Sequence, residues 1–187
     1  MKVSTEKEYE RIKKAIAGDN EAFRQLVDHY KDHSLSVIRS ILKDPIRSED
    51  VLQDAFMKVY KNLSTFRFDA SFSSWLYRIM VNTSYNELRK NKKYTAFYIE
   101  NINKILVEQN ELKLNDQRKF INRVLDTMKP DEALVLRLHY LSELKIKEIE
   151  EITGFKSSKI KVDLHRGRNN FHYKLEKILG KDINYLL

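Results

Sequence analysis

The sequence predicts an all-α protein made of two small helical domains joined by a linker. Apolar residues recur at spacings of three and four along most of the 187-residue chain, as they do on one face of a helix. Only 4 Gly and 2 Pro occur, which disfavours sheets with many tight turns and glycine-rich phosphate loops. We expect the first domain at residues 1–93, the linker at 94–115 and the second domain at 116–187.

The charge balance favours an anionic partner. The chain has 35 Lys and Arg against 27 Asp and Glu, so its formal net charge is +8. Nucleic acid, an acidic protein or a membrane surface would suit that charge. Cysteine is absent, which excludes disulfides and thiolate metal sites. No apolar run approaches the roughly 20 residues that span a bilayer, and the N-terminus lacks a signal-peptide pattern, so we expect a cytoplasmic protein.

The first two helices are expected before residue 44. Residues 6–17 predict a short helix with Tyr9 among its inward residues, ended by Gly18 because glycine tolerates positive φ. Asp19 or Asn20 is expected to cap the second helix, which the Asp-Pro pair at 44–45 ends.

The third helix is predicted in SEDVLQDAFMKVYKNL, with Ser48 as its cap. Its apolar residues make one wide inward face. Five residues remain on the outside: Asp50, Gln53, Asp54, Met57 and Lys61.

The fourth helix follows Ser71, which can accept a hydrogen bond from the amide of Ser73 or Ser74. Its polar face carries Arg78 and Asn82, and it runs into a basic end. Just upstream, the loop at 65–70 places two aromatic residues around an arginine. Such a loop and helix can hold a single nucleic-acid strand by stacking and phosphate contacts.

The alternative interpretation of these aromatic residues is that they are simply core. Aromatic side chains at helical spacing are usually buried. This alternative applies to Phe66, Phe68, Phe72 and Trp75.

The second domain ends in a predicted helix-turn-helix. Its preceding helices are expected from Asp116 to Pro130 and from Asp131 onward. A short acidic helix, a turn at Gly154 and a longer helix capped by Ser157 or Ser158 then follow. The long helix carries seven Lys and Arg between residues 156 and 177, as a major-groove reader requires. A solvated helical hairpin is the alternative.

Four segments together resemble one protein family. They are NEAFRQLVDHY at 20–30, EDVLQDAFMKVYKNLSTFR at 49–67, SFSSWLYRIMVN at 71–82, and the helix-turn-helix ending DLHRGRNNFHYKL. Their order and spacing resemble an extracytoplasmic-function sigma factor, the smallest class of bacterial transcription initiation factor. The likeness covers about residues 20–92, the family's region two, and 116–178, its region four.

This resemblance implies that the chain binds core RNA polymerase through the polar face of the third helix. Here that face carries Asp50, Gln53 and Asp54. Two acids and an amide on one helical face can pair with a basic coiled coil. The family performs no covalent chemistry, so we expect no enzyme activity, no cofactor and no small-molecule substrate.

The resemblance also implies that the first domain opens the minus-ten promoter element and captures a flipped base of the non-template strand. By position, Phe66 walls the base pocket and Asn82 faces it. Arg67 and Arg78 would hold the strand's backbone. The loop departs from the family, because Phe68 is bulkier than the residue expected there.

The last helix is implied to recognise the minus-thirty-five element in the major groove. Lysine and arginine can bond to guanine O6 and N7, a valine can contact a thymine methyl, and residues at the helix N-terminus can hold phosphates. The positions expected to contact this element are Ser157, Ser158, Lys159, Lys161, Val162, His165, Arg166 and Arg168. The family is usually inhibited by an anti-sigma factor, often membrane-anchored.

Two features of the sequence suggest other functions. His29 and His33 have the i, i+4 spacing of metal ligands, but no HExxH pattern or further ligand cluster accompanies them, so we expect no metal. A helix-turn-helix regulator that binds duplex DNA without polymerase is the nearer alternative. Such a regulator would bind no flipped base, so it would need no pocket at Phe66 and Asn82.

Overall fold

The computed structural model describes residues 2–90 and 117–179, and these form helices with no strand among them. In chain order the helices are α1 (Lys2–Ile16), α2 (Asn20–Leu42), α3 (Pro45–Asn62), α4 (Phe72–Lys90), α5 (Gln117–Asp126), α6 (Pro130–Leu136), α7 (Ile146–Thr153) and α8 (Ser157–Leu179). A 3₁₀ turn, Leu63–Thr65, follows α3, and a π-helical turn, Arg137–Leu141, follows α6. The predicted all-α class is confirmed. The predicted linker at 94–115 lies outside the described residues.

Several helix ends follow the sequence-based expectations. Gly18 and Gly154 have φ values of +94° and +72°, in the left-handed region that glycine adopts without strain. Asp19 caps α2, its carboxylate accepting from two amides of the first turn at 2.9 and 3.0 Å. Ser71 Oγ accepts from the Ser74 amide at 3.1 Å and so caps α4.

The predicted cap of α3 is wrong. Asp44, not Ser48, is the capping residue, because its carboxylate accepts from the Arg47 amide at 3.1 Å. Pro45 occupies the first turn, where its missing N–H costs nothing. Ser48 lies one turn further on and is buried, with its hydroxyl donating to the Asp44 carbonyl at 2.6 Å.

The start of α8 is satisfied from another helix. The amide of Ser157 donates to Glu150 Oε1 of α7 at 2.7 Å. The acidic helix of the helix-turn-helix therefore supplies a carboxylate at the positive end of the basic helix, which the helix dipole favours. The second predicted helix boundary shifts as well, since α6 begins at Pro130 rather than Asp131.

Both halves of the chain contribute to one hydrophobic core. In the first half α2 packs on α1, α3 and α4, and in the second half α6 packs on α8. Contacts of α4 with α7 and of α2 with α6 join the halves. The most deeply buried apolar side chains come from both: Leu26, Val37, Ile38, Val59, Leu76, Met80, Leu134, Leu138, Ile149 and Ile160.

A buried arginine lies where the halves meet. Arg137 is 1% exposed, and its guanidinium donates to Ser40 Oγ at 2.7 Å and to Asp126 Oδ1 at 2.8 Å. Burial lowers its pKa, although Asp126 opposes that shift. Beside it, Lys43 Nζ donates to the Asp126 carbonyl at 2.9 Å. These bonds connect α2 of the first half to α5 and the π-helical turn of the second.

Close approach of α8 to α6 depends on Gly167. A Cβ atom built at this position would lie 3.0 Å from Leu136 Cδ1 and 3.1 Å from Leu136 Cγ. Because real Cβ contacts are seldom this short, glycine is what lets the two helices pack at their present distance. The packing orients the outer face of α8.

Candidate nucleic-acid and polymerase interfaces

The outer face of α3 is exposed along its whole length. Asp50, Gln53 and Asp54 are all exposed, as the sequence predicts. Two large apolar side chains lie on the same face, Ile46 with 73% and Met57 with 55% of their surface exposed. Spacings of three and four residues align this set on one side of the helix. An exposed stripe of acids and an amide between two apolar residues is suited to docking rather than to solvation alone.

Phe66 is buried in the core of the first half. Its ring is 7% exposed and lies 5.5 Å from the Phe72 ring and 5.4 Å from the Trp75 ring, centroid to centroid. Asn82 is exposed, but it follows Trp75 by seven residues, or about 10 Å along the helix axis. For Phe66, the alternative of a core residue therefore matches its surroundings. A base-pocket role for Phe66 and Asn82 stays a prediction.

The exposed aromatic residue of this loop is Phe68. Its ring is 39% exposed, its φ is +61°, and the neighbouring Arg67 is exposed as well. Tyr9 of α1 lies against it, with the ring centroids 4.9 Å apart. The expectation that Tyr9 faces inward is wrong, because 42% of its surface is exposed. Helical periodicity alone missed this contact, since its partner is a loop residue far along the chain.

Arg78 does not project freely into solvent. Its guanidinium pairs with Glu151 of α7 at 3.1 Å, an exposed ion pair between the two halves. One turn away, Glu148 accepts hydrogen bonds from Ser74 Oγ at 2.5 Å and Ser71 Oγ at 3.3 Å. Partial burial raises the pKa of Glu148, but these bonds and one from the Lys145 amide outweigh it, so the pKa is lowered. Helix α7 thus covers the N-terminal half of α4.

The outer face of α8 is open. Five of the predicted minus-thirty-five positions are exposed: Lys161, Val162, His165, Arg166 and Arg168. Arg168 also donates to the Tyr140 hydroxyl at 3.1 Å. At the N-terminal end Ser158 is exposed and Ser157 half-buried. The first half of α8 therefore presents a basic surface with one apolar residue, Val162, 45% exposed.

Lys159 departs from this pattern. Its Nζ lies 2.7 Å from Asp131 Oδ2, also pairs with Asp163, and sits 4.2 Å from the centre of the Phe155 ring. Partial burial lowers the pKa of this amine, but the two carboxylates outweigh it and raise the pKa. A phosphate would compete with these two carboxylates for the amine, so the predicted role of Lys159 is the least supported of the set.

His29 and His33 line a cleft of about 1190 Å³ between the two halves. Arg39, Asn122 and Ser142 also line it. Within the part of the chain that the structure describes, no group of three or more His, Asp or Glu side chains could hold a metal ion. Nor does any helix in that part have the length and apolarity to cross a membrane.

Family models match both halves of the chain. The model of Sigma-70 region 2 matches residues 26–94, and that of Sigma-70 region 4 matches residues 121–170. These two regions, in this order, define a bacterial RNA polymerase sigma factor.

Curated relatives indicate which group of sigma factors the chain belongs to. The ECF RNA polymerase sigma factor SigW of Bacillus subtilis is 30% identical over 182 residues, covering 90% of this chain and 96% of the relative. The ECF RNA polymerase sigma-E factor of Escherichia coli is 28% identical over 184 residues, covering 92% and 94%. The chain belongs to the ECF RNA polymerase sigma factor family, which disfavours the simple helix-turn-helix regulator.

Two solved structures share the fold. CnrH, in complex with the cytosolic domain of CnrY, is 19% identical with a TM-score of 0.58, covering 89% of this chain and 96% of that one. The sigma factor RpoE from Bartonella quintana, in complex with the anti-sigma factor NepR, is 20% identical with a TM-score of 0.60, covering 82% and 96%.

Proposed function

We propose that this sigma factor docks on core RNA polymerase through the outer face of α3, using Asp50, Gln53 and Asp54. The observation that carries this assignment is the exposed stripe on that helix. It presents acids and an amide between Ile46 and Met57, whose side chains are 73% and 55% exposed. Apolar anchors bordered by charges are typical of an interface that must be both tight and selective.

The two promoter elements are assigned to different helices. The exposed side of α8, with Lys161, Val162, His165, Arg166 and Arg168, would recognise the minus-thirty-five element in the major groove. Ser157, Ser158 and Lys159 would hold phosphates beside it. The basic charge and open position of α8 support this assignment.

The minus-ten element is assigned to the first half of the chain. Arg67, Arg78 and Asn82 would contact the non-template strand, and Phe66 would wall the pocket for a flipped base. A strand phosphate would compete with Glu151 for the Arg78 guanidinium. We therefore expect the contact between α4 and α7 to open before the strand is held.

The partner that would keep the chain inactive is an anti-sigma factor. RpoE of Bartonella quintana is described in complex with the anti-sigma factor NepR, and its fold is shared by this chain. The chain itself would act in the cytoplasm, without covalent chemistry, cofactor or metal. It would recruit core RNA polymerase, recognise the two promoter elements and start strand opening.

Docking on polymerase is tested by co-elution of the purified chain with bacterial core RNA polymerase on a sizing column. We expect the wild type to co-elute and Asp54→Arg to fail, because the reversed charge faces the same basic partner. The matched control is Glu176→Arg, which reverses another exposed acid, on α8. It should co-elute like the wild type.

Two results would contradict the proposal. Failure of the wild type to co-elute would overturn polymerase binding by this chain. Co-elution of Asp54→Arg at wild-type strength would remove the docking role from the outer face of α3.

A further inference from the structure

We infer that Tyr9 and Phe68 form a stacking platform for an unpaired base of single-stranded DNA, with Lys13 and Arg67 beside it for the backbone phosphates. The inference rests on the proposed function, since it places this platform next to the strand held at the minus-ten element. It adds helix α1 to the strand-binding surface. Tyr9 and Lys13 both lie outside residues 26–94, the part matched by the region 2 model.

Aromatic rings lead from the core to the surface at this point. The Trp75 and Phe66 rings lie 5.4 Å apart, Phe66 and Phe68 4.7 Å, and Phe68 and Tyr9 4.9 Å. Phe66 is buried, whereas Phe68 and Tyr9 are 39% and 42% exposed. The inner rings fix the outer pair in place, so a base that stacks there meets a surface that is already ordered.

The backbone at Phe68 is unusual for an aromatic residue. Its φ of +61° lies in the left-handed region, which bulky side chains rarely adopt. Full burial of the ring would explain why this conformation persists, but solvent reaches more than a third of it. Strained backbone around an exposed ring is a pattern found where the side chain serves binding.

Each ring of the platform has a cation beside it. Lys13 Nζ lies 4.2 Å from the centre of the Tyr9 ring, and a hydrogen bond with Tyr9 raises the pKa of Lys13. Arg67 adjoins Phe68 and is exposed. Two acids are also close, Glu10 at 4.0 Å from Lys13 and the exposed Asp69. Aromatic rings flanked by cations are the common means of holding a strand without sequence preference.

The test compares variants in complex with core RNA polymerase. The probe is a fluorescein-labelled single strand of mixed sequence, about 16 nucleotides long, and its affinity is measured by anisotropy with core polymerase alone as the background. Phe68→Gly removes the ring and suits the positive φ, so it should fold. Tyr9→Leu removes the second ring from an exposed position on α1.

We expect each of these two variants to bind the strand about 5-fold or more weakly, the low end of one base–aromatic stack. Phe68→Tyr keeps the ring and should bind within about twofold of wild type. Tyr173→Leu is the matched control, because Tyr173 is a 64% exposed tyrosine on α8. It should leave the affinity unchanged.

The outcomes separate this inference from the proposed function. Each variant is first checked for co-elution with core polymerase and for its melting temperature. If the variants co-elute and bind the strand like wild type, the platform is overturned while polymerase docking stands. A loss confined to Phe68→Gly overturns the two-ring platform, and Tyr9→Leu decides the matter if Phe68→Gly melts early. Failure of the wild type to co-elute overturns the proposed function itself.

Discussion

The two surfaces assigned to DNA differ in how accessible they are. The outer face of α8 is open, with Lys161 and Arg166 exposed to solvent. The N-terminal half of α4 is covered, because Arg78 pairs with Glu151 and Ser74 bonds to Glu148. In this arrangement a duplex could reach α8, whereas a strand phosphate at Arg78 would compete with Glu151 of α7.

Charge segregation within the helix-turn-helix explains the difference. Its first helix, α7, is acidic and lies against α4, while its second helix, α8, is basic and faces outward. On one side the same unit therefore offers a carboxylate to Arg78, which is proposed to hold the single strand. On the other side it offers cations to the proposed duplex. Exposed ion pairs are weak and are screened by salt, so a phosphate can replace Glu151 as the partner of Arg78.

The largest expected effect comes from breaking the buried contact that joins the halves. Arg137→Ala should lower the free energy of unfolding by about 3 kcal/mol, because it removes the partner of the buried Ser40 hydroxyl and of the partly buried Asp126 carboxylate. Urea unfolding measures the loss. Arg166→Ala, on the exposed face of α8, should change it by less than about 0.5 kcal/mol. Equal effects of the two variants would show that the halves are not held together here.

A substitution on the inner side of α8 should come next. Gly167→Val places branched carbons where even a Cβ would be 3.0 Å from Leu136, so overpacking should cost about 2 kcal/mol. We expect a lower melting temperature and weaker duplex binding together. Asn169→Val, at an exposed position on the same helix, is the control. If Gly167→Val is as stable as the wild type, α8 can move away from α6 while its outer face stays exposed.

The interface should also respond to pH through Lys43. Burial first, then the charge of Arg137, lowers the pKa of Lys43 from 10.5 to about 8. Between those two values the unfolded chain binds more protons than the folded chain, so stability should rise with pH. Relative to Lys43→Met, the wild type should gain about 2 kcal/mol from pH 8 to 10. If the difference in the free energy of unfolding between the two proteins stays constant from pH 8 to 10, Lys43 is not a buried amine with a lowered pKa.

The smallest effect is expected at the ion pair between Arg78 of α4 and Glu151 of α7. Glu151→Gln should weaken the pair with Arg78 by about 0.5 kcal/mol, a typical value for exposed ion pairs. The free chain should then bind a mixed-sequence single strand about twofold more tightly. Glu176→Gln serves as the control for the loss of one negative charge. Equal gains in both variants would assign the effect to net charge rather than to uncovering Arg78.

Local sequence patterns were sufficient for the helices and the outer faces. The stripe of Asp50, Gln53 and Asp54 was predicted from periodicity, and these residues are exposed in the structure. The turn at Gly154 and the cap at Ser71 were likewise predicted from residue chemistry. Ser48 was a plausible cap, but Asp44 and Pro45 form a competing start one turn earlier.

Tyr9 and Lys159 have surroundings that periodicity along one helix does not predict. Tyr9 was expected to face inward because it lies on the apolar side of a helix, yet the neighbour at that position is the exposed loop residue Phe68. The predicted phosphate contact of Lys159 stays a prediction, but its present partner also comes from another helix, since Asp131 Oδ2 of α6 lies 2.7 Å from its Nζ. In each case a residue distant in sequence decides the environment.

The sequence by itself determined the all-α class, the helix-turn-helix, the family and the exposed face of α3. These depend on spacing along a helix and on residue type, which are local properties. Only the tertiary structure decided that Phe66 is buried, that Phe68 stacks on Tyr9, that Arg137 joins the halves, and that α7 covers Arg78. Helical periodicity says which side chains share a face, but packing of helices distant in sequence decides what that face meets.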